Sequence, residues 1–347
     1  MLHEYGLLRP LYDSLFTGYI AHMYSTNSQS VYICSSANRL DAIFVRCVGA
    51  YSDITLRGYR NDLETFIAWC KSCERDWLPS TPDTLAAFID HEIVRVSIAT
   101  LKRRLAAVGF AHRLSDLQSP VEASEVHLAL RRAARLKVRR PKQVLGLTSG
   151  LLESIVRACP ETLGGKRDAA LIAVGYDTLC RSSELAAMKL DHIVFTSQAS
   201  SVFVARSKGD VEGDGRIGYL SDRCATLLTE WIEAASIKSG PLFRGIRGKS
   251  AGETELSTST IRRLIKRSAM RAGIEPKVSA QLSGHSMRVG AAQDMMVAGF
   301  DSLAIMQSGG WKTPNVVLRY VENASTQQLH ERRWERLRGG LSERSAT

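Results

Sequence analysis

The sequence predicts a mainly α fold in two parts: an N-terminal helical bundle, then a mostly helical domain carrying a small antiparallel β-sheet. Three observations lead there. Apolar residues recur at helical spacing almost continuously from residue 36 to 138, with no strand signal between them. The β-rich stretch falls between Asp191 and Tyr219, where Ile193-Val194-Phe195 and Val202-Phe203-Val204 are followed by Gly209, Gly213 and Gly215 as turn punctuation. At 347 residues the chain is long enough for two domains, each able to bury a core.

In chain order, residues 1–35 read as an N-terminal extension, with Leu7, Leu8, Leu11, Leu15 and Phe16 fitting one short helix ahead of a Ser-rich connector. The bundle over 36–138 begins with a helix from Ala37 to Ala50. A second follows Ser52-Asp53, with Leu56, Tyr59, Leu63, Phe66, Ile67 and Cys70 at helical spacing. Ser80-Thr81-Pro82 opens a third, proline sitting in the first turn where its missing N–H costs nothing. The fourth spans Ser97 to His112 and the fifth Pro120 to Leu136. Residues 139–147 form a basic linker, and 148–347 the second domain. Its expected helices lie near 149–158, 165–176, 221–236, 257–272, 285–298 and 301–308, and Thr326 to Leu337 reads as a basic amphipathic helix.

Composition narrows the function. Forty-six Lys+Arg oppose 35 Asp+Glu, a formal net charge of +11, so a polyanion is the first partner to expect. A hydrophobic fraction of 44% and a charged fraction of 23% exclude wholesale disorder and fibrous repeats. No run reaches 18 uninterrupted apolar residues, so no membrane span is expected. The N-terminus lacks a basic segment followed by an apolar core and cleavage site, so the expectation is a cytoplasmic protein. Between Lys102 and Lys142 eleven Lys/Arg stand against three acids, a segment charge of +8. Arg103, Arg104, Arg131, Arg132, Lys137, Arg139, Arg140 and Lys142 in that stretch are candidates for phosphate contact, the alternative being a solvated helix face and an ordinary linker. Seven cysteines, odd in number and irregularly spaced, read as reduced thiols. Cys70 and Cys73 form a C-x-x-C, but no second pair accompanies it, so neither a metal nor a redox role is expected.

Four segments carry residues suited to chemistry. Gly284-His285-Ser286-Met287-Arg288-Val289-Gly290 reads as a helix start, placing His285 and Arg288 on one face near free N–H groups. Alone, that is equally a capping histidine and a surface arginine. In Gly309-Gly310-Trp311-Lys312-Thr313-Pro314 the glycines end one helix and the proline limits the next, leaving Trp311 on a corner. Tyr320 follows on a short helix whose packing face is expected at Val316, Val317 and Val321; such a tyrosine is as readily a half-buried core residue. Arg181 and Glu184 are three apart on an expected helix face, where an ordinary ion pair also fits. Lys208 ends the most strand-like segment beside a turn.

Taken in order, R-S-S-E-L, the strand-turn lysine, G-H-S-M-R-V-G-A-A-Q-D, I-M-Q-S-G-G-W and a tyrosine nine residues past the tryptophan resemble the tyrosine recombinase (phage integrase) family, Cre-type members in particular. The match covers the second half closely and the first half in layout only, where the resemblance implies a SAM-like core-binding domain. It implies a site-specific recombinase that cleaves and rejoins duplex DNA through a 3′-phosphotyrosyl link, with no metal, ATP or other cofactor. In that reading Tyr320 attacks the scissile phosphate, while Arg181 and Arg288 present planar forks to its oxygens. His285 donates to the same oxygens or moves the tyrosine proton, Trp311 donates its indole N–H, and Lys208 protonates the leaving 5′ oxygen. Glu184 orients the arginine and histidine. The helix near 257–272 would approach the major groove with Arg262, Arg263 and Lys266, although no arginine stands where the family reads guanine. The implied partner is DNA with an inverted-repeat site, bound by a homotetramer on two sites through exchange of the C-terminal helix, in association with the nucleoid. Two rivals remain at this point: a catalytically silent DNA-binding paralogue, and a relative that relaxes DNA or resolves telomeres.

Overall fold

A computed structural model of the chain describes residues 36–137, 143–196, 198–205, 214–321, 330–331 and 333–334. The chain divides into two compact units, residues 1–141 and 142–347. The first unit contains α1 (Ser36–Val45), α2 (Asp53–Ser72), α3 (Pro82–Glu92), α4 (Ile98–Leu114) and α5 (Ser124–Leu136). Three starts are set by side-chain caps: Ser52, Thr81 and Ser97 each accept the backbone N–H three residues on. Leu63, Phe66 and Cys70 of α2 meet Leu85, Phe88 and Ile89 of α3, Leu101, Leu105 and Val108 of α4, and Val126, Ala129 and Ala133 of α5 in one core. The i, i+3, i+4 spacing of each set is what turns these stripes toward one another.

Two helices depart from expectation. The first stops at Val45 and gives way to turns, with Gly49 at φ +81°, a conformation that glycine adopts without strain. The fifth is interrupted: Pro120–Glu122 is a 3₁₀ turn, and Ala123 is extended before α5 begins. Packing explains the break, since Pro120 is buried and Gly109 of α4 lies close against the Ser119 and Val121 side chains.

The second unit holds α6 (Ser149–Arg157), α7 (Leu163–Asp177), α8 (Ser182–Ala186), α9 (Asp222–Ala234), α10 (Thr258–Arg271), α11 (Pro276–Gln281), α12 (Ser286–Ala298), α13 (Ser302–Gly309) and α14 (Pro314–Val321). An antiparallel sheet of β1 (Ile193–Val194), β2 (Ser200–Val204) and β3 (Arg216–Leu220) runs in sequence order, β2 and β3 pairing from Ser200↔Leu220 to Val204↔Arg216. A second hairpin, β4 (Arg244–Arg247) with β5 (Ser250–Glu255), and the short helix α11 were not expected from the sequence. Their signals are weak: β5 is mostly polar, and α11 is six residues long with proline at its start.

Helix α7 is the spine of this unit, buried from Arg167 through Gly175 and packed on α9, α12 and α6. Trp231, Phe243, Ile261, Ile265 and Met287 close the core around it. A smaller cluster of Leu179, Ala291, Ala292, Ile305, Trp311 and Val317 supports the segments that follow.

Candidate active site

Leu179, just past α7, takes the left-handed conformation at φ +51° and turns the chain toward α8. Arg181 is not on the face of that helix, as the spacing suggested; it is the residue that precedes it. Its backbone N–H donates to Glu184 Oε2 at 2.9 Å and its guanidinium Nη1 to Glu184 Oε1 at 2.6 Å. One buried carboxylate thus holds both ends of the arginine. Arg216 approaches the same carboxylate at 3.8 Å; nothing in its local sequence distinguished it.

Gly284 lies against Ser182: a Cβ there would fall 1.9 Å from the Ser182 hydroxyl, so glycine lets this segment sit beside Arg181. His285 is likewise a cap rather than a helical residue, and its N–H donates to Ser283 Oγ at 3.1 Å. Arg288, one turn on, is fully buried at 0% exposure, which disposes of a surface arginine. Its Nη1 donates to the Leu179 carbonyl at 2.5 Å, and its guanidinium carbon lies 4.1 Å over the Trp311 ring and 5.7 Å from that of Tyr320. Arg288 Nε and Nη2 and Trp311 Nε1 are buried donors with no hydrogen-bond partner. Buried donors left unpaired cost free energy, so three together mark a place prepared for acceptors.

Gly310 ends α13 in the left-handed region at φ +64°, and a Cβ on Gly309 would overlap the Trp311 ring at 2.2 Å. The two glycines therefore fold the indole back toward Arg288. Tyr320 projects from α14, with Val317 buried beneath it; Val316, expected in the packing face, is instead 39% exposed. Tyr320 Oη lies 2.5 Å from His285 Nε2. Gln143 and Gln293 donate to the Tyr320 carbonyl at 3.1 and 3.4 Å, anchoring the backbone behind the hydroxyl. Of these two, Gln293 stands within the run read as significant; Gln143 had no signal.

Burial, then the charges of Arg288 and Arg181, push the His285 imidazole down to about 4, with Glu184 partly offsetting them. A neutral imidazole at pH 7 can accept the tyrosine proton on Nε2. Burial first and Arg181 second lower Arg288 to about 10, which leaves it cationic at neutral pH. The cluster can therefore bind an oxyanion and deprotonate a phenol beside it.

The structure brings Arg181, Glu184, His285, Arg288, Trp311 and Tyr320 into one cluster. Lys208 lies outside the described residues, as do Arg139, Arg140 and Lys142, residues 1–35, and most of Thr326–Leu337. The remaining basic candidates divide. Arg103 makes a bidentate pair with the buried Asp62 at 2.7 and 2.8 Å while staying 54% exposed. Arg104, 15% exposed, is engaged by Glu92 and Asp62 inside the first unit. Arg131 is exposed, Arg132 pairs loosely with Asp90 at 3.3 Å, and Lys137 donates to Val94 O at 3.3 Å. On α10, Arg262 and Arg263 face outward, Arg263 reaching Thr260 Oγ1 at 3.1 Å, and Lys266 donates to Ala280 O at 2.7 Å. Among the described residues no three His, Cys, Asp or Glu side chains gather as metal ligands, and no helix is long and apolar enough to cross a membrane.

Comparison with known proteins bears on the same residues. A profile of the phage integrase family matches residues 147–327, and one of the phage integrase N-terminal SAM-like domain matches residues 44–113. An integrase/recombinase XerD homolog of Selenomonas ruminantium is 31% identical over 290 residues, covering 79% of this chain and 83% of its own. The Cre recombinase of Escherichia phage P1 is 28% identical over 302 residues, covering 80% and 86%. In fold, the chain resembles the XerH site-specific recombinase bound to palindromic difH substrate in a post-cleavage complex, with TM-score 0.62 and 19% identity over 87% of this chain and 85% of that one. The Tn1549 transposon integrase in complex with circular intermediate DNA gives TM-score 0.59 at 15% identity, over 85% and 97%. With a SAM-like segment ahead of a profile match that contains all six clustered residues, the chain belongs to the phage integrase family, the tyrosine recombinases.

Proposed function

We propose that this protein is a site-specific recombinase of duplex DNA that works through a 3′-phosphotyrosyl intermediate, with Tyr320 as nucleophile. The observation that carries the reading is the set of three unpaired buried donors, Arg288 Nε and Nη2 and Trp311 Nε1, beside a tyrosine hydroxyl already bonded to a neutral imidazole. A scissile phosphate supplies the acceptors those donors lack.

Tyr320 Oη attacks phosphorus as its proton passes to His285 Nε2. The new O–P bond replaces the bond from phosphorus to the 5′ oxygen, which leaves as a hydroxyl after protonation by Lys208. Arg181 and Arg288 stabilise charge on the non-bridging oxygens, and Glu184 orients Arg181. The phosphotyrosyl link conserves the energy of the broken phosphodiester, so rejoining consumes no nucleotide. Strand exchange then proceeds stepwise within a homotetramer on two inverted-repeat sites, assembled through the C-terminal helix. Arg131, Arg132 and Lys137, together with Arg139, Arg140 and Lys142, contact the DNA backbone, and Arg262, Arg263 and Lys266 contact the groove or its rims. The two-part organisation at the basic linker belongs to the same reading.

The test uses a duplex selected by the full chain from a random pool and then nicked near the cleavage point, so that the cleaved strand is lost. Wild type should accumulate covalent protein–DNA product in the presence of a chelator. Tyr320→Phe should bind with unchanged affinity and form none. Covalent attachment by the Phe variant would remove Tyr320 as nucleophile; absence of attachment by wild type would favour a silent DNA-binding paralogue.

A further inference from the structure

Arg216, at the first position of β3, has been assigned no step, yet it touches the segments that carry most of them. Its side chain is 15% exposed. Nη2 donates to the Thr178 carbonyl at 2.7 Å and to Cys180 Sγ at 3.4 Å, and lies 3.8 Å from Glu184 Oε2. Nη1 donates to the Ser308 carbonyl at 3.0 Å. Thr178 and Cys180 flank Leu179, whose carbonyl holds Arg288; Glu184 holds Arg181; Ser308 leads through the two glycines into Trp311. A Cβ on Gly310 would come 2.9 Å from Arg216 Cδ, so the left-handed glycine that turns the chain toward Trp311 also makes room for the arginine stem.

We propose that Arg216 is a positioning residue for the cleavage step, its planar fork fixing the Arg181–Glu184 pair and the Trp311 corner in a single register. This rests on the recombinase reading above. Two features separate the role from that of an ordinary buried arginine. First, its acceptors come from two chain segments about 130 residues apart, 178–184 and 308, and both lead directly into phosphate-binding side chains. Second, Glu184 is shared between two guanidinium groups, so removing Arg216 leaves the carboxylate to draw on Arg181 alone. That alters where Arg181 points without altering what the protein grips elsewhere on the duplex. A lysine keeps the charge but cannot reach both the Ser308 and Thr178 carbonyls with a fixed fork.

The experiment measures single-turnover formation of covalent product by the full chain on the selected, nicked duplex, alongside its binding constant. Arg216→Ala should slow the covalent step by about 10- to 100-fold, the scale of a small misplacement of catalytic groups. Affinity should stay within about threefold, because phosphate contacts elsewhere on the duplex supply most of it. Arg216→Lys should recover part of the rate. Glu184→Gln combined with Arg216→Ala should cost more than either single variant, through the separate Trp311 arm, but clearly less than the product of the two rate losses, since both act in part through Arg181. A folded Arg216→Ala protein that cleaves at the wild-type rate would overturn the proposal, and so would penalties that simply add. If the alanine variant does not fold, the same cycle with Arg216→Lys decides by the same criterion. Lack of covalent product from wild type, or its persistence in Tyr320→Phe, sinks the recombinase reading and this inference with it. An unaffected Arg216→Ala beside an active wild type and a silent Tyr320→Phe sinks this inference alone.

Discussion

A phenol 2.5 Å from an imidazole that burial and two arginines keep neutral has a ring nitrogen within proton-transfer distance. Because burial, Arg288 and Arg181 depress His285, its titration in DNA-free protein should have a midpoint near 4, read from imidazole proton shifts by NMR. A midpoint at or above the ordinary 6.5 would contradict the electrostatics of the site. Linkage gives the matching stability effect. The folded protein holds this histidine below its unfolded value, so the unfolded chain takes up more protons between about pH 4 and 6.5. The contribution is therefore complete above pH 6.5 and lost as pH falls toward 4. The buried His112 of the first unit, its Nε2 accepting from Ser80 N–H, is lowered by burial in the same direction. Melting temperatures should fall between pH 7 and 5. At this scale the sequence was informative about residue types and poor about environment. Spacing brought His285 next to Arg288, but nothing in it distinguished a surface arginine from one at 0% exposure, because that difference is made by Leu179, Trp311 and Tyr320 from distant segments.

Among the helices, α12 shows how one position can reverse a general rule. Glycine inside a helix ordinarily costs about 0.5–1 kcal/mol against alanine. At Gly58 in α2 an added Cβ would have nothing within 4 Å, so Gly58→Ala should stabilise the first unit by roughly that amount. At Gly290 a Cβ would sit 1.9 Å from the Leu147 carbonyl oxygen. There Gly290→Ala should destabilise by about 1–3 kcal/mol or more, with denaturant melts of the two variants moving in opposite directions. The helices themselves were largely legible, because serine and threonine caps and apolar stripes are local signals. The Pro120–Leu136 segment was not, since its break follows from packing against Gly109. The polar β5 strand was missed because its pairing with β4, rather than any alternation of its own, defines it.

Over the whole molecule, the formal charge of +11 does not say which basic side chains are available to a polyanion. Arg104 is engaged with Glu92 and Asp62 in the interior, whereas Arg131 and Arg262 face outward. In a plot of log affinity against log salt on the selected duplex, Arg131→Ala or Arg262→Ala should each reduce the slope by about 1. Arg104→Ala should leave the slope unchanged and instead lower the melting temperature, since it leaves the buried Glu92 carboxylate without its arginine. Equal slopes for all three variants would mean that outward placement does not mark the DNA-facing residues. Counting charges along the chain located the basic segment but could not divide it, because which arginines pair inward depends on acids of other helices, Asp62 in α2 and Glu92 in α3.

The double hold of Glu184 on Arg181, and of Leu179 and Trp311 on Arg288, has an entropic consequence. Each arginine carries about 2 kcal/mol of rotamer freedom. Here much of it is surrendered when the chain folds, not when a phosphate arrives. On the recombinase reading, an incoming phosphate would meet cations that are already still, so less of its binding energy would be lost to ordering the protein, and more would remain for the reacting bond.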